Sequence, residues 1–276
     1  MDFGLFYDKT ERILRHGFFT NVGAPSEYHY ATFFTEARAA AFLAIGKGDI
    51  PRESWFAMDR VFPPDFDWQS QKPLDHARVG ALGCDYYAGH YLWKGEPVVP
   101  SWGGSMFEAL MPGLVIDEKR YSEKGWWLNG IRHVKAQIDL AGELGYPVWG
   151  MSPCMNPAGG YGEFGVKSLG IKGYPAGVVT PHASFLALPR MKDEAARNLR
   201  NLAALYPELY GECGFYDSVD PAGGSVAFKY LALDQGMCFL GAAEALSPGV
   251  LLERFDRDPI VKKASRLLLA ENPLPR

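Results

Sequence analysis

Apolar side chains recur every three to four residues along much of the chain, a spacing that places them on one face of an α-helix. The clearest example is the set Trp127, Ile131, Val134 and Ile138, which predicts a helix over residues 124–145. The alternation of apolar and polar residues that is typical of strands is scarce. The pattern therefore predicts an all-α or nearly all-α protein, with further helices at residues 27–46, 52–59, 75–92, 193–206, 229–246, 249–256 and 259–270.

Residues that favour helix ends mark several of these limits. Ser26 is a suitable N-cap for the first long helix, and Gly46 and Gly48 are placed to end it. The Gly-rich turn Trp102–Ser105 leads into another helix. Pro112 interrupts or kinks that helix, because proline lacks the amide hydrogen that a helix interior needs.

The segment from Trp149 to His182 departs from this pattern. It is rich in Gly and Pro, has no sustained periodicity and is longer than most connections in a compact domain. Such a loop is usually functional, although a loop that simply packs over the core is the alternative. Its notable polar and aromatic residues are Trp149, Ser152, Asn156, Tyr161, Glu163 and Tyr174.

Length and charge narrow the class of protein. The 276 residues suffice for one large domain, which we assign to residues 1–276 as a whole. The net charge of −4 and the scattered basic residues give no electrostatic attraction to nucleic acid or to an anionic membrane. The longest strongly apolar stretch, Ala39–Ile45, is far too short to cross a bilayer. The first residues lack the pattern of a signal peptide, which predicts a cytoplasmic location if the chain is complete.

Cysteine spacing and aromatic content narrow the class of protein further. The four cysteines are widely separated, without a Cys-x-x-Cys pair, so we expect free, mostly buried thiols rather than disulfides, and neither a metal site nor a cofactor. No Gly-rich phosphate loop and no Gly-x-Ser-x-Gly motif occurs. Aromatic residues make up 14% of the chain, and aromatic faces suit the apolar faces of sugar rings.

Glycoside hydrolysis uses two carboxyl groups, so we searched for acids that surface ion pairs do not explain. Glu36 has no basic residue three or four positions away, and a partly desolvated carboxyl there has the raised pKa that a general acid needs. The alternative is a bond between Glu36 and a distant Arg. Glu108 and Asp234 also lack a helical partner, and Asp217 lies in a turn that either projects it into a cleft or caps a helix.

His182 has two interpretations, a contact to a sugar hydroxyl or a structural histidine at a helix start.

Further expectations follow from a resemblance to a known family. Seven stretches, in order, resemble the glucoamylase-like domain of bacterial endo-β-1,2-glucanases and of the C-terminal processing domain of cyclic β-1,2-glucan synthases. They are residues 1–8, 35–38, 44–49, 101–108, 149–150, 214–217 and 230–236.

The resemblance implies an α/α toroid of helical hairpins with a central cleft and Glu36 as the proton donor. We therefore predict a glycoside hydrolase or transglycosylase that acts on a glucan-like polysaccharide or oligosaccharide. The predicted catalytic residues are Glu36, Asp217 and Glu108, and the predicted substrate-binding residues are Trp102, Trp149, Tyr161, Glu163, His182, Tyr216 and Asp234.

Two departures from that family matter. The synthase-type domain has Trp-Gly-Ile-Ser-Glu where this chain has Trp149-Gly150-Met151-Ser152-Pro153, so that carboxylate is missing. In the endo-β-1,2-glucanases the partner carboxylate comes from an earlier segment. We therefore expect one of two arrangements. Either the toroid is incomplete at its N-terminal side and an upstream domain or a second chain supplies the missing helices, or the chain is a shortened variant with an open cleft. A non-catalytic glycan-binding domain or inactive partner subunit is the alternative function.

Overall fold

A computed structural model describes residues 1–269, 271, 273 and 274 of the chain. Most of the regular structure is helical. The α-helices are α1 Ala37–Lys47, α2 Ser54–Ala57, α3 Met106–Leu110, α4 Glu118–Ser122, α5 Leu128–Glu143, α6 Pro181–Ala187, α7 Lys192–Leu205, α8 Ala232–Leu246, α9 Leu252–Arg257 and α10 Pro259–Leu269. Shorter 3₁₀ turns cover Phe3–Phe6, Met111–Leu114, Lys167–Leu169 and Pro207–Leu209, and a π-helical turn covers Glu123–Trp127.

Short antiparallel strands connect these helices. The strands are β1 Tyr7–Asp8, β2 Ile13–Leu14, β3 Phe18–Phe19, β4 Ala24–Pro25, β5 Leu74–Ala81, β6 Cys84–Trp93, β7 Glu96–Val98, β8 Cys154–Met155, β9 Tyr161–Gly162, β10 Tyr210–Gly211, β11 Gly214–Phe215, β12 Ser218–Val219 and β13 Val226–Ala227. They form one three-stranded sheet of order β5-β6-β7 and five two-stranded ribbons: β1-β2, β3-β4, β8-β9, β10-β11 and β12-β13.

The core lies where the helices meet. α1 packs against α10, α6 packs against α7 and α8, and α3 packs against α5 and α6. An aromatic cluster fills the centre: the ring of Phe33 lies 4.7 Å from that of Trp55 and 4.5 Å from that of Trp126. All three side chains are fully buried, so the segment just before α1 is held by packing on both sides.

Most of the predicted helices are confirmed, with ends that move by up to three residues once the π-helical turn is counted with α5. Pro112 does end a helix, because α3 stops at Leu110 and a 3₁₀ turn follows. Gly48 ends α1 in the left-handed conformation, whereas Gly46 lies inside that helix. The predicted end of the last helix at residue 270 lies outside the described residues.

The predicted helix over residues 75–92 is wrong, because this stretch forms the β5–β6 hairpin. Leu82 and Gly83 both have positive φ, at 50° and 76°, as a two-residue hairpin turn requires. Pairs such as Val79 with Tyr86 then lie opposite each other. The nearly all-α prediction missed this sheet because its apolar residues do not alternate strictly.

The first predicted helix is wrong over residues 27–36, and Ser26 is not its cap. α1 begins at Ala37, with Glu36 as N-cap residue. Upstream, the backbone is extended because the N–H of Tyr30 donates to the carbonyl of Leu14 and that of Phe33 donates to Asp59. Pairing with distant segments therefore overrides local helix propensity here.

The Gly-Gly turn before α3 allows the long loop to approach closely. A Cβ atom at Gly103 would lie 2.0 Å from the ring of Tyr174. Gly104 has a φ of 76°, and a Cβ there would lie 2.1 Å from the carbonyl oxygen of Val166. The loop is also bonded to this turn, since the N–H of Tyr174 donates to the carbonyl of Gly103 at 2.8 Å.

Replacing Gly104 by Ala should therefore lower the free energy of unfolding by at least about 2 kcal/mol, because it adds both backbone strain and a clash. Gly142→Ala in α5 is the matched control, since a Cβ there meets nothing within 4 Å. The control should raise stability by about 0.5–1 kcal/mol. Urea unfolding measures both, and equal stability of the two variants would contradict the close approach described here.

Candidate active site

A cavity of about 460 Å³ opens at the N-terminal end of α1, a volume in the usual range for ligand sites. It brings together Glu36, Trp102, Glu108 and Glu163 of the predicted site residues. Its other lining residues are His16, Tyr28, His29, Tyr30, Ala31, Thr32, Thr35, Phe62, Trp68 and Tyr174.

Glu36 is a partly buried carboxyl group on this cavity. Burial raises its pKa, while its own backbone N–H and the charge of Arg38 act in the opposite direction with smaller effect. Among the described residues no ion pair reaches Glu36, because Arg38 pairs with Glu118 instead. The alternative, in which Glu36 bonds to a distant Arg, is therefore wrong for the described residues.

Arg38 fixes the position of Glu36 relative to α3. Its guanidinium donates to the carbonyl oxygens of Thr35, Glu108 and Ala109 at 2.8–3.0 Å. Two further hydrogen bonds, of 3.2 and 3.0 Å, reach the carboxylate of Glu118. The two cavity carboxyls thus lie on segments that one buried side chain holds together.

Glu108 is buried and tightly bonded. It completes a capping box with Ser105 at the start of α3, and its carboxylate accepts hydrogen bonds from the hydroxyls of Ser101 and Ser105 at 2.9 Å and from the N–H of Gly103 at 3.0 Å. Burial and the charge of Glu36 raise the pKa of Glu108 to about 7 against these donors. Its bonding partners make it an anchor for the turn as well as a cavity residue.

Aromatic rings form one wall of the cavity. Trp102 lies 5.8 Å from Trp68 and 6.3 Å from Phe62, measured between ring centroids. Phe62 and Trp68 both also contact Phe66, at 5.5 and 5.7 Å. Trp68 is 51% exposed, so its face is available to a ligand. Such a wall suits the apolar faces of sugar rings.

The long loop contributes the third cavity carboxyl. Glu163 is exposed, and Tyr174 lines the same cavity. Burial raises the pKa of Tyr174, so its hydroxyl stays protonated and can act as a donor. Glu163 is therefore an accessible carboxyl group on the same cavity as Glu36.

The remaining wall comes from residues that the sequence did not single out. Tyr28, His29 and Tyr30 lie on the extended segment before Glu36, and His16 lies on the segment paired with it, between β2 and β3. The helix predicted over residues 27–46 hid Tyr28, His29 and Tyr30, because a helical segment would have placed them differently. A signal was available in the density of His and Tyr residues between Gly17 and Thr32, which is unusual for a solvent-exposed helix.

The predicted residues His182, Tyr216, Asp217 and Asp234 meet in a second place, a small enclosed space between α6, α8 and the turn after β11. The side chains of Asp217 and Asp234 are neighbours in this space, and His182 Nδ1 lies 3.4 Å from Asp234 Oδ2. Burial and the Asp217 side chain raise the pKa of Asp234 to about 8, and burial lowers that of His182 to about 3.

Adjacent buried carboxylates repel each other, which favours the protonated form of a member of the pair. Asp217 Oδ2 accepts the N–H of Met155 at 2.6 Å, a bond that favours the ionised form of Asp217, although burial raises its pKa overall. Within the described residues, Asp217 Oδ1, Asp234 Oδ2 and His182 Nδ1 are buried without a hydrogen-bond partner.

The last two predicted residues lie apart. Tyr161 is on β9 and is 63% exposed. Partial burial of its hydroxyl raises its pKa to about 12, and Tyr161 lines neither the cavity nor the space around the carboxyl pair. Trp149 is buried in the core, where its backbone N–H and carbonyl bond the side chain of Asn198 at 3.1 and 2.7 Å. It lines neither the cavity nor the space around the carboxyl pair.

Within the part of the chain that the structure describes, no three His, Cys, Asp or Glu side chains are grouped so that they could hold a metal ion. All four cysteines are free thiols. None of the described helices is both long and apolar enough to cross a bilayer.

The carboxyl pair predicts a pH-dependent stability. Folded Asp234 keeps its proton up to about pH 8, whereas an unfolded Asp has lost it above pH 4. The folded state thus binds more protons in this window, and stability falls as pH rises, by at most about 1.4 kcal/mol per pH unit. Asp234→Asn removes that slope. Between pH 6.5 and 8, where His182 stays neutral, the variant should gain stability relative to the wild type.

Chemical denaturation at several pH values measures this effect. Asp65→Asn, at an exposed carboxylate, is the control and should keep the wild-type slope. Parallel curves for the wild type and Asp234→Asn would mean that Asp234 carries no extra proton in the folded state.

Similarity to known proteins extends over most of the chain. A family model described as "Putative glucoamylase" matches residues 28–259. The cyclic β-(1,2)-glucan synthase NdvB of Rhizobium meliloti is 32% identical over 292 residues, which cover 99% of this chain and 9% of the synthase. The chain thus spans only a small part of that relative.

Solved structures agree in fold. An endo-β-1,2-glucanase from Chitinophaga pinensis, in complex with sophorotriose and glucose, superposes with a TM-score of 0.64 at 18% identity, covering 97% of this chain and 61% of that one. A protein from Bacteroides uniformis, with the same description as the family, gives a TM-score of 0.65, again at 18% identity and with the same coverage. These chains extend beyond the region that they share with ours. With its family match over most of its length and its resemblance to the synthase, the chain belongs to the glucoamylase-like family.

Proposed function

We propose that this chain is a glycoside hydrolase or transglycosylase domain that acts on a β-linked glucan, with Glu36 as the proton donor. The observation that carries the proposal is an unpaired, partly buried carboxyl group of raised pKa on a cavity with an aromatic wall. The raised pKa favours the protonated form of Glu36, and in that form the carboxyl group can deliver its proton to the glycosidic oxygen as the bond to the sugar carbon breaks.

The second carboxylate that we propose is Glu163. It is exposed on the cavity, which the protonated hydroxyl group of Tyr174 also lines. In hydrolysis it would activate water, and in transglycosylation it would activate a sugar hydroxyl. We assign Glu108 a positioning role, since its carboxylate already accepts hydrogen bonds from the Ser101–Ser105 turn. Asp217 does not line the cavity, so its catalytic role remains a prediction.

The relatives support β-1,2-linked glucan as the first substrate to test. One is named a cyclic β-(1,2)-glucan synthase, and another is an endo-β-1,2-glucanase in complex with sophorotriose and glucose. We also propose that the helices belong to an α/α toroid in which residues 1–276 form a single domain. The longer chains of the relatives favour the idea that further helices complete that toroid.

A non-catalytic glycan-binding domain is the alternative, favoured by Pro153 at the position where the synthase-type domain carries Glu. A binding domain would retain the aromatic wall and bind glucan without releasing reducing ends. The wild-type protein in the experiment below separates the two functions.

Glu36→Gln should lower turnover of β-1,2-glucan by at least about 100-fold, because the amide cannot donate the proton that the leaving oxygen needs. Its affinity for the glucan should stay close to that of the wild type. Reducing-end release measures turnover, and calorimetry measures affinity. Glu208→Gln, at an exposed position, is the control.

Full turnover in Glu36→Gln would reject Glu36 as the acid. Binding without turnover in the wild type, across a panel of glucans, would favour the glycan-binding domain.

Trp68→Ala should weaken glucan binding about tenfold, which corresponds to about 1.4 kcal/mol of lost stacking. Phe239→Ala is the matched control, because Phe239 is 72% exposed on α8 and does not line the cavity. Calorimetric titration measures both variants. If they bind equally well, the exposed face of Trp68 is not part of the glucan site.

A further inference from the structure

The residues before Glu36 form a wall of the cavity, and the proposed reaction does not explain the contacts within this wall. Its backbone is paired with the preceding segment: the N–H of His16 donates to the carbonyl of Tyr28 at 2.9 Å, and Arg15 forms a β-bridge with His29. The ring of His16 also lies 4.3 Å from that of Tyr30. These contacts hold the His29 side chain at a defined place on the cavity.

Asp8 lies behind this wall and is 8% exposed. Its carboxylate accepts the N–H groups of Thr10 and Glu11 at 2.8 and 3.2 Å, pairs with Arg15, and bonds His29 Nε2 at 2.9 Å. The bonds to His29 and to these amides lower the pKa of Asp8 to about 2. Asp8 is therefore ionised and can only accept, so Nε2 of His29 must carry a hydrogen.

This arrangement leaves Nδ1 as the free nitrogen of a ring that lines the cavity. In neutral imidazole with Nε2 protonated, Nδ1 is an acceptor for a hydroxyl group. His29, its neighbour Tyr30 and the proposed acid Glu36 all line this cavity. The imidazole thus belongs to the same cavity as the proposed acid.

We propose that Asp8 and His29 form a hydroxyl-binding subsite, in which Asp8 holds His29 as the Nε2–H tautomer and Nδ1 accepts a hydrogen bond from a hydroxyl group of the bound glucan. This subsite rests on the proposed function. Asp8 is a positioning residue, because it acts through the imidazole. Arg15 already neutralises Asp8 and also donates to the carbonyl of Ser26 at 2.7 Å, so the charge of Asp8 is paired without His29.

Two substitutions separate sugar binding from a structural role. In His29→Gln the amide nitrogen can replace Nε2 and keep the bond to Asp8, but no group replaces Nδ1. A purely structural histidine would be rescued by Gln. His76→Gln, at an exposed position of β5, is the matched control.

Binding of a β-1,2-gluco-oligosaccharide is measured by calorimetry in the Glu36→Gln background, where the probe is not consumed. His29→Gln should raise Kd about fivefold or more, with an unchanged thermal midpoint, and His76→Gln should leave Kd unchanged. Nitrogen-15 NMR of the imidazole should identify the Nε2–H tautomer in His29, with an Nδ1 resonance that shifts when the probe is added.

Unchanged Kd in a folded His29→Gln variant, or an Nδ1–H tautomer, would overturn the subsite and leave the proposed function standing. If the Glu36→Gln parent and the wild type both fail to bind any glucan, the proposed function and the subsite fail together.

Discussion

One buried guanidinium holds together the end of the molecule that carries the cavity. Arg38 is 1% exposed and pairs with Glu118, whose other carboxylate oxygen accepts Arg190. Arg38 also donates to the carbonyls of Glu108 and Ala109 in α3. Removing one partner from a buried, bonded ion pair typically costs about 3–5 kcal/mol, because a charge is left without compensation. The contacts of Arg38 therefore hold α1, α3 and α4 in one arrangement. Among the described residues they also leave Glu36 without an ion pair, because the guanidinium of Arg38 is already bonded to Glu118.

Sequence periodicity identified the elements whose stability is local. The helix over 124–145 and the last helix after Asp258 were predicted because residues close together in the sequence form their apolar faces and caps. The β5–β6 hairpin and the extended segment before Glu36 were missed, because both depend on pairing with residues far away along the chain. Local spacing carries no information on such pairing. The density of His and Tyr residues could have drawn attention to this segment, but the pairing that turns it into a cavity wall could not be predicted.

The candidate site was also predicted only in part, because each acid was selected from its neighbours in the sequence alone. The absence of a basic neighbour marked Glu36 correctly as an acid without a helical ion pair. The same test selected Glu108, although the Ser105-x-x-Glu108 spacing is a capping-box signal that points to an anchoring role as well. Asp217 and Asp234 were each noted alone. Only the fold reveals that they are neighbours, since their segments meet in three dimensions and not along the sequence.

The most direct test of this account is a crystal structure of the Glu36→Gln variant with a β-1,2-gluco-oligosaccharide bound. We expect the sugar chain to cross the cavity against Trp68 and Trp102, with a glycosidic oxygen within hydrogen-bonding distance of the side chain at position 36. Glu163 should face the same linkage from the long loop. An oligosaccharide bound elsewhere, or one whose glycosidic oxygens all lie far from position 36, would contradict the assignment of Glu36 as the proton donor.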